Sequence, residues 1–136
     1  MDANAKKTAL RMIPYGLYVL TAADKSGSRV AAATVNWVTQ VAFEPPLVVV
    51  GVKTDSHAHP LIKETKAFAL NVLGRGQQAL AFTFFECTLE TTVEKADHSI
   101  FVGRVVEAGV AKAPDGRPDD ATLWLRDLGD KVFYGG

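Results

Sequence analysis

Cysteine is almost absent from this chain: Cys87 stands alone. No disulfide can close within the chain, and a zinc ribbon or finger is excluded for want of thiolates. Neither sign of charge prevails. Lysine plus arginine number 15, as do aspartate plus glutamate, and no run of like charge reads as a tail. Such a balance supplies no field to draw the chain onto nucleic acid or an anionic membrane. Long apolar runs are missing too. The stretch Leu47–Val52 falls far short of the ~20 residues a membrane-spanning helix needs. Met1–Lys7 is polar and alanine-rich, without the apolar centre of a secretory signal. A soluble cytoplasmic protein is expected, binding neither nucleic acid nor membrane. No Gly-x-Gly-x-x-Gly or Walker loop follows a predicted strand, and no Gly-x-Ser-x-Gly elbow is present.

What the chain does have is material for one core. It is 136 residues long, 48% hydrophobic and 22% charged, so a single domain over 1–136 is expected. Ala5–Met12 reads as a short helix ended by Pro14. Tyr15–Ala22 and Arg29–Asn36 read as a hairpin around the turn cluster Asp24–Ser28, with Ala31, Ala32 and Ala33 leaving room for close packing. Leu47–Lys53 is continuously apolar and β-branched, the pattern of a strand buried on both faces. Asp55-Ser56 is a capping signal, and a helix is expected from there to Lys66. Ala67–Leu73 reads as a strand and Gln77–Phe85 as a helix, with Leu80, Phe84 and an edge of Phe85 facing in. Cys87, Leu89, Thr91 and Val93 alternate with Thr88, Glu90, Thr92 and Glu94 as in a strand with one wet face. Ile100–Val110 continues as a strand, with Gly103 and Gly109 as possible bends. Ala113–Asp120 is a loop, and Thr122–Arg126 and Val132–Tyr134 are short closing strands. The pattern is mainly β with short helices, a barrel or sandwich in preference to a doubly wound α/β sheet.

Three segments could carry chemistry. Thr34–Gln40 crowds hydrogen-bonding groups at a strand end. It suits a phosphate or the polar edge of a heterocycle, with Trp37 as an apolar wall, or else it simply closes a turn. Lys53–His59 joins a strand to a helix start; lysine, hydroxyls and a helix N-terminus make an anion site, or a capped helix beside a solvated lysine. His57 and His59 lack the further ligands a zinc site requires, so no metal is expected. Asp97-His98 is a titratable pair or an ordinary turn. Cys87 belongs to the core rather than to a nucleophile.

Taken in series, Tyr15–Thr21, Thr34–Gln40, Phe43–Val50, Ser56–His59, Phe68–Leu73 and Asp97–Val105 resemble the flavin reductase-like, FMN-binding split-barrel family. The resemblance implies a six-stranded Greek-key split barrel, a homodimer, and FMN held near the dimer interface. It implies that Thr34, Val35, Asn36 and Trp37, with Gln40 in the same segment, hold the flavin. Lys53, Ser56 and His57 become phosphate and ribityl anchors, and Asn71 lies beside the pocket. His98 stands near the place where NAD(P)H stacks its nicotinamide. The activity implied is electron transfer from NAD(P)H to flavin, which then serves a monooxygenase or another acceptor. The alternatives are a flavoredoxin-like FMN carrier without a nicotinamide site, and a barrel that binds some other ligand. Two departures stand out. Trp37 occupies a position where many relatives have a small hydroxyl residue. Relatives also carry a longer segment between the predicted helix ending near Phe85 and the strand at Cys87. A helix has little reach to reverse into a strand there without a loop, so either this is a natural minimal version with a tight junction or, the reading slightly favoured, residues are absent between Phe85 and Cys87.

Overall fold

The computed structural model describes residues 1–134 and, within them, every side chain except those of 77–82. Helix α1 spans Ala3–Arg11. The strands are β1 (Tyr18–Ala23), β2 (Val30–Val35), β3 (Val38–Ala42), β4 (Leu47–Lys53), β5 (Ala67–Gly74), β6 (Gln77–Lys95) and β7 (His98–Val110). Helix α2 (Ala58–Thr65) joins β4 to β5, and the short α3 (Pro118–Ala121) and a 3₁₀ turn (Leu125–Leu128) follow β7. Chain 3–11 is helical up to the Met12–Pro14 stop, and the β1–β2 hairpin closes on Asp24, whose carboxylate accepts from Ser26 Oγ and Ser28 N.

All the strands join one antiparallel sheet in the order β2-β1-β5-β6-β7-β4-β3. Its edges are β2 and β3, yet only Asn36 and Trp37 separate these edges in sequence. The sheet must therefore curl until its edges nearly meet. Its inner face wraps a single core in which Leu20 and Leu70 from one side join Val50, Val52 and Phe101 from the other. Ala22 and Ala31 are small because Ala58, Leu61 and Ile62 of α2 pack on them. Gly103 is required: a Cβ there would meet the Phe68 ring at 2.5 Å. Toward the other end lies a cavity of about 370 Å³ lined by Tyr18, Val38, Gln40, Val48, Val72 and Phe85.

The expected second helix is not formed. Residues 77–85 open the 19-residue strand β6. Gly76, with φ of +75°, turns the chain straight back, and β6 pairs with β5 on one side and β7 on the other. Pairing with β5, joined from Thr83 onward by pairing with β7, overrides the local helix preference of Gln-Gln-Ala-Leu. Phe84 faces outward over Gly109, Phe85 lines the cavity, and the Leu80 side chain lies outside the described residues. Phe85 and Cys87 belong to one continuous strand, so the geometry asks for no loop between them. A register shift between Leu89 and Thr91 turns Thr92 inward against Phe101 and leaves Thr91 and Val93 exposed, against the simple alternation. Val132–Tyr134 forms no strand, and Thr122 and Trp124 pair only through single bridges to Gly74 and Gly16. Among the described residues, no helix is long and apolar enough to cross a membrane.

Candidate functional site

The site grows from the link between the two sheet edges. Trp37 cannot continue β2, because its carbonyl accepts from Gly51 N at 2.9 Å. That bond lays the indole flat on β4, where a Cβ on Gly51 would come within 3.0 Å of the ring. Lys53, two residues along the same strand, stands opposite His98, the first residue of β7. The His98 and Trp37 rings lie 4.5 Å apart between centroids. The tight Ala96-Asp97 turn fixes where β7 begins, and Thr54 N and Oγ1 both donate to the Asp97 carbonyl.

Tyr134 completes the cluster, and nothing in its local sequence announces this. Its ring is 5.6 Å from Trp37, its carbonyl accepts from Asn36 Nδ2 at 3.2 Å, and its hydroxyl lies 3.2 Å from His98 Nε2. His98 Nδ1 is 3.0 Å from Asp97 Oδ1 but off the line of a hydrogen bond. The Tyr134 hydroxyl donates to Nε2 or accepts from it according to which ring nitrogen carries the proton. Trp37 Nε1 is buried with no hydrogen-bond partner among the described residues. An orphan donor of this kind costs free energy unless something else receives it.

Of the other residues singled out in sequence, Lys53 is exposed and pairs with Asp55 at 2.9 Å, which raises its pKa. Ser56 Oγ donates to the Lys53 carbonyl and accepts from His59 N, so Ser56 is the working cap of α2. His57 is exposed at the helix start. Val35 points into the core and pairs with Tyr18 of β1. Thr34 and Asn71 sit on one outward-facing row through Val19, whose carbonyl accepts from Asn71 Nδ2. Gln40 donates to the Ala42 carbonyl beside the interior cavity. The fold thus gathers Asn36, Trp37, Lys53 and His98, keeps Ser56 and His57 next to them, and sets Thr34, Asn71 and Gln40 on other parts of the sheet.

His59 turns inward to Ser99 Oγ at 2.8 Å, and burial lowers its pKa. Cys87 is buried and its thiol is pushed up to about 11, which keeps it protonated and unreactive. Among the described residues, no group of three or more His, Cys, Asp or Glu is arranged to hold a metal ion.

Comparison with known proteins gives consistent findings. The model of the flavin reductase like domain matches residues 10–85. The NADH-dependent flavin reductase StyB of Pseudomonas fluorescens is 27% identical, aligned over 87% of this chain and 85% of its own length. The FMN reductase (NADH) SmoA of Agrobacterium fabrum is 28% identical over 79% of this chain and 76% of its own. The solved structure of the styrene monooxygenase flavin reductase (SMOB) from Pseudomonas putida S12 superposes with a TM-score of 0.68 at 28% identity, covering 77% of this chain and 84% of that one. The share of a curated relative's length that this chain spans differs widely, 85% for StyB but 25% for a putative diflavin flavoprotein of Nostoc. The StyB alignment runs over 146 positions but uses only 87% of the 136 residues, about 118, so about 28 positions of it have no counterpart here. The domain match ends at Phe85, next to the place where the resemblance implies a longer segment.

Proposed function

The chain belongs to the flavin reductase like family, and from that premise we propose that it is an NAD(P)H-dependent flavin reductase working on FMN. The observation that carries the reading is the Trp37–His98 cluster. An indole lies flat on a glycine, its buried N–H is without a partner, and a histidine sits against its side.

FMN presents a planar ring with polar edges and a phosphate, and the residues present fit those demands. Trp37 and the nearby outward-facing Ile100 and Val93 offer apolar surface, Trp37 Nε1 and Asn36 Nδ2 are donors, and the Lys53 ammonium is exposed for an anion. When bound, FMN supplies hydride acceptance and one- or two-electron return. The protein's part is orientation. Thr34, the Val35 backbone, Asn36, Trp37 and Gln40 belong to the flavin-holding segment, with Lys53, Ser56 and His57 toward the phosphate and Asn71 on the neighbouring row. His98, which meets the Tyr134 hydroxyl at Nε2, keeps a polar edge at the place where a nicotinamide approaches. Val93 and Ile100 are 42% and 46% exposed on the outer face beside Trp37, which favours a second copy seated there as a homodimer. The reduced flavin serves a monooxygenase or similar acceptor, as the name of the SMOB relative describes for that protein.

A visible spectrum after adding FMN, followed by NADH without oxygen, tests the reading. Protein-bound flavin that bleaches within seconds supports it. Bound flavin that bleaches only with dithionite makes the chain a carrier instead, and no bound flavin overturns both.

A further inference from the structure

Helix α2 closes one end of the curled sheet, with Leu61 and Ile62 packed on Ala22 and Ala31. At the other end the interior stays open as the cavity of about 370 Å³. Six strands build its wall, through Tyr18 of β1, Val38 of β3, Val48 of β4, Val72 of β5, Phe85 of β6 and Val105 of β7. An apolar cavity of ~150 Å³ already holds benzene, so this one has room for about two rings. No described wall residue is charged, so a phosphate or carboxylate would find no counterion in it. That sets the cavity apart from the Trp37–His98 cluster, where the Lys53 ammonium is exposed.

The polar capacity of the wall is small and well placed. The Tyr18 hydroxyl lies over Gly16, where a Cβ would come within 2.9 Å of it, so the glycine keeps that seat clear. Burial raises the pKa of the Tyr18 phenol, and no hydrogen bond shares in the shift. It therefore stays a neutral hydroxyl, able both to donate and to accept. Gln40 gives Nε2 to the Ala42 carbonyl and keeps Oε1 as an acceptor, while the Thr39 hydroxyl is spent on the Gln40 carbonyl.

We propose that this cavity binds a neutral aromatic molecule of about two fused rings carrying one hydroxyl. The rings displace water from the apolar wall, Phe85 among it, and the ligand hydroxyl exchanges its water for Tyr18. The site rests on the interior of the barrel alone and stands whether or not the chain reduces flavin.

The test is titration of the full chain with 2-naphthol, naphthalene and 2-naphthoate, followed by calorimetry and ligand fluorescence. 2-Naphthol and naphthalene are expected to bind, and 2-naphthoate at least tenfold more weakly than 2-naphthol, because its charge has no partner in the wall. Tyr18→Phe keeps the ring in place. It should weaken 2-naphthol about fivefold, the scale of one neutral hydrogen bond, and leave naphthalene unchanged. Ala108→Trp, at an exposed position of the wall, fills the mouth and should abolish binding of both. Saturating FMN should leave 2-naphthol bound. The proposal is overturned if the wild-type chain does not bind 2-naphthol, if Ala108→Trp binds it equally well, if Tyr18→Phe affects both ligands alike, or if FMN displaces it. Should the chain take up no flavin, the reductase reading falls and the two variants still decide the cavity.

Discussion

Two histidines in this molecule make nearly the same contacts in opposite surroundings. His98 meets an aromatic ring, Trp37, and a hydroxyl, Tyr134; His59 meets Phe101 at 5.2 Å and Ser99 at 2.8 Å. The two environments spring from adjacent residues on β7. Strand alternation sends His98 outward to the indole and Ser99, which is fully buried, inward to His59. The outward pair borders a surface with an orphan donor, while the inward pair is closed on itself within the core. Bond type alone does not distinguish the two histidines. What distinguishes them is whether unsatisfied capacity remains next to open space.

The sharpest way to break this comparison is to remove each pair in turn. His98→Ala should lower turnover per bound flavin about a hundredfold, some 2.7 kcal/mol of barrier, while flavin affinity and the denaturation midpoint stay near wild type. Steady-state rates beside a flavin titration decide it; a loss of affinity without loss of turnover would make His98 a ligand for the flavin. Ser99→Ala should do the reverse. It strands a buried imidazole nitrogen and should cost about 1–3 kcal/mol of stability in urea, with turnover retained.

The pH dependence sharpens it further. Burial, then the charge of Lys63, lowers the pKa of His59, with Glu94 opposing. In the unfolded chain the group returns to about 6.5. As pH falls through that value the unfolded state takes up a proton that the folded state resists, so stability declines as pH falls below about 6.5. His59→Leu should flatten the urea midpoint between about pH 6.5 and 5 relative to wild type. Equal slopes would show that His59 titrates freely.

Much of this was legible in sequence where local chemistry and tertiary structure agree. Leu47–Lys53 is a strand over the expected residues, because a continuous β-branched run has no competing structure, but it is fully buried on one face only, through Val48, Val50 and Val52, and not on both as expected. Asn36, Trp37, Lys53 and His98 were each identifiable as polar or aromatic residues at strand ends, and the curl of the sheet brings them together. Residues 77–85 misled because their helix preference is local, while their pairing with β5, and from Thr83 with β7, is not. Tyr134 was unreadable for a similar reason: Trp37 and His98 lie 97 and 36 positions before it, and no periodicity records such a contact. Ser99 was read only as part of a motif. Its bond to His59 depends on which face of β7 it occupies, and that face is set by the Ala96-Asp97 turn.

A smaller effect is expected at Lys53, which stands opposite His98 as Val52 stands opposite Ser99. Lys53→Ala should weaken FMN several-fold at low salt and hardly at all at about 1 M, since an exposed ammonium acts through a screened field. Equal loss at both salt concentrations would remove Lys53 from the phosphate.

The smallest effect should come from the turn that sorts the two histidine environments. Ala96 holds φ at +52°, where a Cβ is strained, just before β7 begins. Ala96→Gly relieves roughly 1 kcal/mol of that strain, but glycine's extra freedom in the unfolded chain takes back about 0.4–1 kcal/mol. The net gain in urea should therefore be at most about 0.5 kcal/mol. Turnover is the more telling measurement. If the side-chain contacts of Trp37 and Tyr134 hold His98 in place, turnover is unchanged by the glycine. If it falls, the stiffness of the turn itself aims His98 outward and Ser99 inward, and the division between the two histidines begins in the backbone.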